Sequence, residues 1–492
     1  MPDLTIKNIN QTWVQIQCDK GIALELADKF TFEVPGARFT PAYKNHRWDG
    51  KIRLFDRRWN KIYRGLVTEI KAFCKDNNYE YDYEDDDSFN VTLDEIQTFT
   101  QKLNPKHDPR EYQLDAVISA INRQRILLLS PTASGKSLII YLLINFLLAK
   151  KYKKGLIIVP TINLVEQMAG DFIEYSENNG LPFGSLIHKI YQGQDKDSKK
   201  PITISTWQSL YTMPPEFFEQ FDFVIGDEAH LFTAKSIQYI MSNLINAEFR
   251  IGTTGTLDGT KTHQMVLEGL FGPVHRVIST HELIKQKFAA EFAINGLVLE
   301  YPDHIKKALK GASYQEEIEF LVLNETRNKY IANLAVAMTK NTLVLFQYVK
   351  KHGMILEEMI RKKLEGTGRN VYFVYGKTDV EIREEIRKLV ETESNCIIIA
   401  SVGTFSTGIN IQNLHNIIFT APSKSRIRVL QSIGRALRLN QNKDVAVLYD
   451  IADDLHYKTH ENHTLRHFRA RLNLYSEEKF PFKTYRIQLK ET

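Results

Sequence analysis

Three cysteines in 492 residues, at positions 18, 74 and 396, are too few and too far apart for a disulfide framework or a thiolate metal site. A reducing cytoplasm is the compartment this favours. Long apolar runs are missing too. The most apolar stretch, SLIIYLLINFLLAKKYKKGLIIVP from Ser137, is broken by Asn145 and by a lysine-rich turn. It falls short of a membrane span and reads as a buried helix followed by a strand. The N-terminal MPDLTIKNINQTWVQIQ lacks a cationic start followed by an apolar core, so no signal peptide is expected. Low-complexity tracts and sequence repeats are absent. Net charge is nearly absent as well, and +5 over the whole chain names no partner.

What is present is ordinary in bulk and uneven in place. Hydrophobic residues make up 43% and charged residues 25%, enough to bury several cores, and the length suits about three domains. Between Pro41 and Arg64 stand eight Lys/Arg against two Asp, whereas EYDYEDDD (Glu80–Asp87) carries six acids and no base. Within the basic stretch, KIRLF alternates, turning Ile52 and Leu54 inward and Lys51 and Arg53 outward. LVTEIKAFCKDNN places Leu66, Ile70, Phe73 and Cys74 on one helical face. The first hundred residues read as a small α/β domain, closed by the acidic run and the polar stretch to KLNPKHDP.

From Arg110 the texture changes. Short apolar runs (RILLLS, KGLIIVP, PITIST, FDFVIGDE, FRIGTT) alternate with amphipathic helices, the pattern of a parallel sheet covered on both faces. A second series begins near Asn341 with NTLVLF, RNVYFVYG, NCIIIAS, HNIIFTAP and DVAVLYD. A less periodic stretch, Phe271–Lys340, separates them. The predicted architecture is α/β: two tandem parallel-sheet lobes, at 100–290 and 291–492, preceded by the small α/β domain at 1–95.

SPTASGKS (Ser130–Ser137) follows one strand and opens a helix. Backbone N–H groups and a helix N-terminus at such a turn wrap phosphates. Gly135 lets the chain turn, Lys136 reaches the β/γ-phosphates, and the Ser137 hydroxyl goes to Mg²⁺. Ser130 stands where the P-loop pattern has its first Gly. FDFVIGDEAH ends a strand with Asp227 and Glu228. Alone, that pair is a solvated turn. About ninety residues after a P-loop it is a Walker B site, with Asp227 on the metal and Glu228 orienting the attacking water.

Further pieces fall in a fixed order: PREYQLDAV, IIVPTINLVEQ, STWQSL, TGT at Thr254–Thr256, LVLFQYV, ASVGTFSTGINI and QSIGRALR. Together they resemble superfamily 2 helicases of the DEAH type over nearly everything from Arg110 to Arg438. The lobes would then be RecA-like, with ATP between them. The resemblance implies that Gln113, with Arg110, reads the adenine, and that Thr132, Ser134 and Gly408 also meet the nucleotide. Gln431, Arg435 and Arg438 join Lys136, Asp227 and Glu228 in catalysis, the two arginines as fingers. Pro160, Thr161, Ser205, Thr206, Gln347 and Thr404 would touch a nucleic-acid backbone, and Thr254 and Thr256 would couple hydrolysis to lobe movement.

The N-terminal segment YKNHRWDGKIRLFD, followed at once by this core, is similar to that of UvsW-type helicases of T-even-like bacteriophages. This narrower resemblance implies an ATP hydrolase and DNA helicase using Mg²⁺, acting in the host cytoplasm and away from membranes. Its substrates would be forks, Holliday junctions and R-loops, the last with an RNA–DNA hybrid, in recombination, repair and replication. The expected state is a monomer, and whether a small accessory protein joins it is left open. Lys51, Arg53, Arg57 and Arg58 become candidate phosphate contacts, as do Lys44, Arg47, Lys61 and Arg64. Trp48, Trp59 and Tyr63 either pack the hairpin or stack on a base. Near the C-terminus, Arg469 and Arg471 either reach DNA or are cations on a solvated helix face, the second being the preferred reading. Other readings share the motifs: a duplex translocase that separates no strands, an RNA helicase, and a binding module with a decayed ATPase. DEAH sequences occur in RNA helicases too, but the TGT motif and the N-terminal domain point away from RNA, and the intact Lys136, Asp227, Glu228, Gln431, Arg435 and Arg438 argue against decay.

Overall fold

The structure, a computed structural model, describes residues 2–84, 89–191, 199–408, 411, 413–420, 425, 434 and 445–490. The chain divides into two compact units, Met1–Ser130 with Gly135–Ile278 and Pro131–Ser134 with Ser279–Thr492. Among the described residues no helix is long and apolar enough to cross a membrane.

The first unit opens with six short strands: β1 (Leu4–Asn8), β2 (Trp13–Cys18), β3 (Thr31–Glu33), β4 (Lys51–Arg53), β5 (Lys61–Tyr63) and β6 (Tyr81–Tyr83). Four of them form a mixed sheet in the order β5-β2-β1-β6, and β3 pairs with β4. As the spacing predicts, Ile70, Phe73 and Cys74 are buried on the helix Val67–Asp76, with Leu66 buried just before it; Val67 is buried as well. Lys51 and Arg53 are exposed, whereas Leu54 is buried and Ile52 half-buried.

Seven parallel strands follow: β7 (Arg125–Leu129), β8 (Gly155–Val159), β9 (Ile187–Ile190), β10 (Ile202–Thr206), β11 (Phe223–Asp227), β12 (Phe249–Thr254) and β13 (Val274–Arg276). Their order is β13-β7-β12-β11-β8-β10-β9. The apolar runs became β7, β8 and β10–β12, buried on both faces, and the run after Ser137 became the buried helix Lys136–Ala149.

The small sheet and the large one share one apolar cluster, in which Leu66 and Ile70 belong with Leu127, Val224 and Phe271. Arg250, at the start of β12, is 1% exposed and lies in this seam. Its guanidinium donates to the carbonyls of Leu270 (3.0 Å), Leu244 (3.2 Å) and Met241 (2.5 Å), and to Thr12 Oγ1 at 2.8 Å. Burial pulls its pKa down to about 10, which leaves it charged at neutral pH. Gly65 lies so close to the neighbouring helix that a Cβ there would sit 2.1 Å from the Glu268 carbonyl oxygen.

The second unit holds another seven-stranded parallel sheet: β14 (Glu291–Glu300), β15 (Thr342–Phe346), β16 (Val371–Val374), β17 (Ile397–Ser401), β18 (Asn416–Phe419), β19 (Val445–Asp454) and β20 (Phe482–Gln488). The order is β16-β17-β15-β18-β19-β14-β20. Two corrections arise here. The stretch read as weakly periodic contains β14, which pairs with β19 over ten residues. Arg471 is not on a solvated face. It is buried, its Nε and Nη2 each 2.8 Å from an Asp450 carboxylate oxygen, and its guanidinium stacks near Phe419 and Phe468. Arg469 is exposed and pairs with Glu461.

Candidate nucleotide site and nucleic-acid interface

In a parallel sheet the loops that follow the strands' carboxyl ends gather along one edge, where α/β proteins place their ligands. Register puts the sequence-predicted groups of the first unit on that edge in spatial order. Leu129, before the P-loop, pairs with Thr254 of β12, and Thr253 pairs with Asp227 of β11. Gly226 pairs with Ile158 of β8, and Val159, before Pro160 and Thr161, pairs with Thr206 of β10. The candidate nucleotide groups thus occupy β7, β12 and β11, and the candidate backbone contacts occupy β8 and β10.

The P-loop leaves β7 with Ser130 N–H donating to the Thr254 carbonyl at 2.8 Å, which ties the loop to the TGT segment. Ala133 and Gly135 both have positive φ, and Ser134 Oγ donates to the Pro131 carbonyl at 2.6 Å. Thr132 is half-buried in the same turn. Gly135 has φ 78°, which favours glycine, and a Cβ there would lie 2.3 Å from Gln113 Nε2 and force that side chain to move. Gln113 is buried; its Oε1 accepts from Arg110 N–H at 2.8 Å, and its Nε2 donates to the Gly135 carbonyl at 3.5 Å. Arg110 donates to the Tyr112 hydroxyl at 2.9 Å. Lys136 Nζ donates to the Ser130 carbonyl at 3.2 Å, and the Ser137 hydroxyl meets the Tyr175 hydroxyl at 2.9 Å.

Asp227 ends β11, and Thr253 Oγ1 donates to its carboxylate at 2.8 Å. Glu228 takes a left-handed conformation, φ 51°, and turns its carboxylate to within 3.3 Å of His230 Nδ1. His230 Nδ1 also lies 3.0 Å from Thr254 Oγ1, which donates to the Thr256 carbonyl at 3.0 Å. The chain Glu228–His230–Thr254–Thr256 physically joins the Glu228 carboxylate to the TGT segment. The sequence pointed to Glu228, Thr254 and Thr256 of this chain and not to His230, nor to Thr253, which holds Asp227. Their signal was the position of each beside a named residue.

The Asp227 carboxyl has its pKa raised, first by burial and then by Glu228, against the opposing pull of Lys136 and of the Thr253 hydroxyl. The fold therefore binds this proton more tightly than the unfolded chain does. The resulting loss of stability is absent below the unfolded pKa, grows up to the folded pKa, and is complete above it. Asp227→Asn is expected to raise the thermal midpoint of the nucleotide-free protein at about pH 7.5 and to give no gain near about pH 4, the ordinary carboxylate value. Melting curves at both values check this, and equal midpoints at the higher pH would show that the charge is already compensated.

Thr161 caps the helix Ile162–Tyr175 by accepting from Leu164 N–H at 3.4 Å, and Pro160 precedes it. Thr206 is buried, its hydroxyl 3.1 Å from Ser209 Oγ. Ser205 is buried within β10 and donates to the Ile190 carbonyl at 2.8 Å. In the second unit, Phe346 pairs with Ser401, so the residues that follow them share one sheet edge. Gln347 is exposed there, and Thr404 is buried with its Oγ1 2.7 Å from Ser401 Oγ, on the helix that Gly408 ends. Gln431, Arg435 and Arg438 lie outside the described residues.

In the basic N-terminal stretch, Lys44, Arg47, Lys51, Arg53, Arg57 and Arg58 are exposed. Arg53 pairs with Asp49 at 2.5 Å. Lys61 sits over the Trp13 ring, 4.0 Å from its centroid. Two residues are not surface contacts. Arg64 is buried and donates to Gln11 Oε1 at 2.9 Å, and Tyr63 is buried and stacks on Trp13 at 4.2 Å. Trp48 donates its indole N–H to the Lys51 carbonyl, whereas Trp59 remains 64% exposed.

Residues 3–84 match the sequence profile of the family described as DNA helicase UvsW, N-terminal. Residues 106–259 match Type III restriction enzyme, res subunit, and residues 326–440 match Helicase conserved C-terminal domain. The ATP-dependent DNA helicase uvsW of Enterobacteria phage T4 is 37% identical, over 97% of this chain and 98% of its own length. The DNA 3'-5' translocase XPB2 of Sulfurisphaera tokodaii is 27% identical, over 68% of this chain and 80% of its own. The crystal structure of T4 UvsW superposes with a TM-score of 0.52 at 34% identity, covering 99% of this chain and 100% of that one. With the small mixed sheet, the two parallel sheets and the ordered motif edge in place, these likenesses establish that the chain belongs to the UvsW family of superfamily 2 DNA helicases.

Proposed function

We propose that the chain is an ATP-dependent DNA helicase that unwinds or branch-migrates forks, Holliday junctions and R-loops in recombination, repair and replication. The observation that carries this reading is the sheet edge on which Lys136, Thr254, Asp227 and Glu228 stand beside Pro160, Thr161 and Thr206. Nucleotide chemistry and strand contact then share one rigid element. Membership in the UvsW family supports it.

In this reading the P-loop amides and Lys136 hold the phosphates, and Glu228 orients the attacking water. Arg435 and Arg438 supply charge to the transition state. Ser137 and Asp227 would hold Mg²⁺, which supplies neutralisation of the phosphate oxygens when bound. The donors fit: both are hard oxygens, and a buried carboxylate with a raised pKa gains most from a nearby cation. Among the described residues no cluster of three or more His, Cys, Asp or Glu forms a protein cage for a metal. A phosphate-borne Mg²⁺ needs only one or two protein ligands.

The exposed cations Lys51, Arg57 and Arg58, beside Trp59, form the proposed duplex contact. Removing residues 1–95 would be a poor test, because it strips the apolar seam from the large sheet. Point changes are cleaner. ATP hydrolysis is to be measured without nucleic acid and with single-stranded DNA, linear duplex, a four-way junction and RNA, using Lys136→Ala as the blank. Stimulation greatest with the junction, accompanied by strand separation, supports the reading. Equal stimulation by linear duplex without unwinding makes the protein a translocase, and stimulation by RNA alone overturns the assignment. In the same preparation, Lys51→Gln/Arg57→Gln/Arg58→Gln is expected to lower the salt slope of junction binding by about 3. An unchanged slope removes the patch from the DNA path.

A further inference from the structure

We infer that Tyr175 is a positioning residue for the metal-binding hydroxyl of Ser137, a role that rests on the P-loop reading above. Tyr175 is the last residue of the helix Ile162–Tyr175, far in sequence from the P-loop. Its hydroxyl nonetheless lies 2.9 Å from Ser137 Oγ. A neutral hydroxyl binds a cation through an oxygen lone pair, so its proton has to point elsewhere and needs an acceptor. The Tyr175 oxygen is placed to be that acceptor. With the Ser137 proton directed at Tyr175, the serine lone pairs face away from it.

The tyrosine is held on several sides. Its carbonyl accepts from Lys106 N–H at 2.9 Å, and Lys106 in turn pairs with Glu177 at 2.8 Å. Its ring makes an edge contact with His107 (centroids 5.8 Å apart) and another with Tyr141 (5.5 Å). Tyr141 lies one turn beyond Ser137 on the P-loop helix, on the same face. Asn179 donates to the Tyr141 hydroxyl at 3.1 Å, fixing that ring as well. The phenol therefore reaches Ser137 with little freedom to swing away. The helix also begins directly after Thr161, so one rigid element carries a candidate strand contact at its first turn and the metal ligand's partner at its last.

The test is the Mg²⁺ dependence of nucleotide binding. ADP affinity of the full-length protein is measured by calorimetry in excess Mg²⁺ and in EDTA, for wild type, Tyr175→Phe, Ser137→Ala and the double variant. Phenylalanine keeps the ring and its edge contacts and removes only the hydroxyl. Tyr175→Phe is expected to weaken Mg²⁺-ADP binding about tenfold, the scale of losing a partner behind a metal ligand. Binding in EDTA stays as in wild type, and the double variant is no weaker than Ser137→Ala. Unchanged Mg²⁺-ADP affinity in Tyr175→Phe, while Ser137→Ala is weakened, overturns the proposal. So does an equal loss with and without Mg²⁺, which marks a packing role. A Ser137→Ala protein with wild-type Mg²⁺ dependence overturns the P-loop assignment itself.

Discussion

Arg435→Ala or Arg438→Ala is expected to cut DNA-stimulated ATP turnover by about 10³–10⁵, while leaving most of the ATP affinity intact. Phosphoryl transfer needs little covalent help. It needs charge neutralisation on the equatorial oxygens as the bond to the leaving group loosens. On the first unit's edge that charge would come from Lys136, which in the proposed reading already engages the ground state. In the proposed reading the arginines in QSIGRALR would act on the transition state, so their loss would fall on kcat rather than on binding. Lysine is a poor replacement, because a compact ammonium does not reproduce the guanidinium's forked, planar donors. Steady-state turnover at saturating DNA, with nucleotide titration in parallel, checks both statements. A variant keeping a tenth or more of wild-type turnover would show that the charge comes from elsewhere.

Arg250→Ala is expected to destabilise the first unit by about 3–5 kcal/mol, through lost volume and through buried carbonyls left without donors. The guanidinium satisfies Met241, Leu244 and Leu270 together with Thr12, so its removal strands several acceptors at once. Its own desolvation works in the opposite direction and lowers its pKa to about 10. Charge-assisted hydrogen bonds of about 1.5–3 kcal/mol each outweigh that cost when several are made. Arg250→Met fills the volume without the donors, so the difference between the two variants isolates packing from hydrogen bonding. Denaturant titration followed by tryptophan fluorescence reports the change, since Trp13 lies in the small sheet. A midpoint within error of wild type for both variants would mean that the seam does not depend on this residue.

What could be read from sequence followed burial. Runs such as GLIIV and TLVLF are apolar because their strands are covered on both faces, and all such runs were found where they were expected. IHKI (β9), VHR (β13) and FKTYRIQ (β20) are edge strands with polar or exposed positions, and nothing local separates them from loops. EFAINGLVLE (β14) carries Asn295 and Gly296 at its centre, and its long pairing with β19 is decided by tertiary contacts. The phosphate loop and Asp227–Glu228 were legible because chemistry fixes their spacing. Arg250, Arg471 and Tyr175 were not, since their partners come from distant segments. Arg250 lies in a strand, and its partners are carbonyls at the end of one helix (Met241, Leu244) and within another (Leu270).

The Arg250 seam also bears on how the protein leaves the ribosome. Residues 1–84 are made about 165 residues before Arg250 emerges. At translation speeds of about 5–20 residues per second this is a wait of roughly 10–30 s. During that interval the face around Tyr63, Gly65 and Leu66 lacks its full cover, because the helix Lys261–Phe271 that packs against it has yet to be synthesised. The small sheet is thus committed to vectorial folding in two stages, and the nascent chain offers chaperones a defined sticky surface until the helix Lys261–Phe271, which follows the sixth strand of the large sheet, arrives.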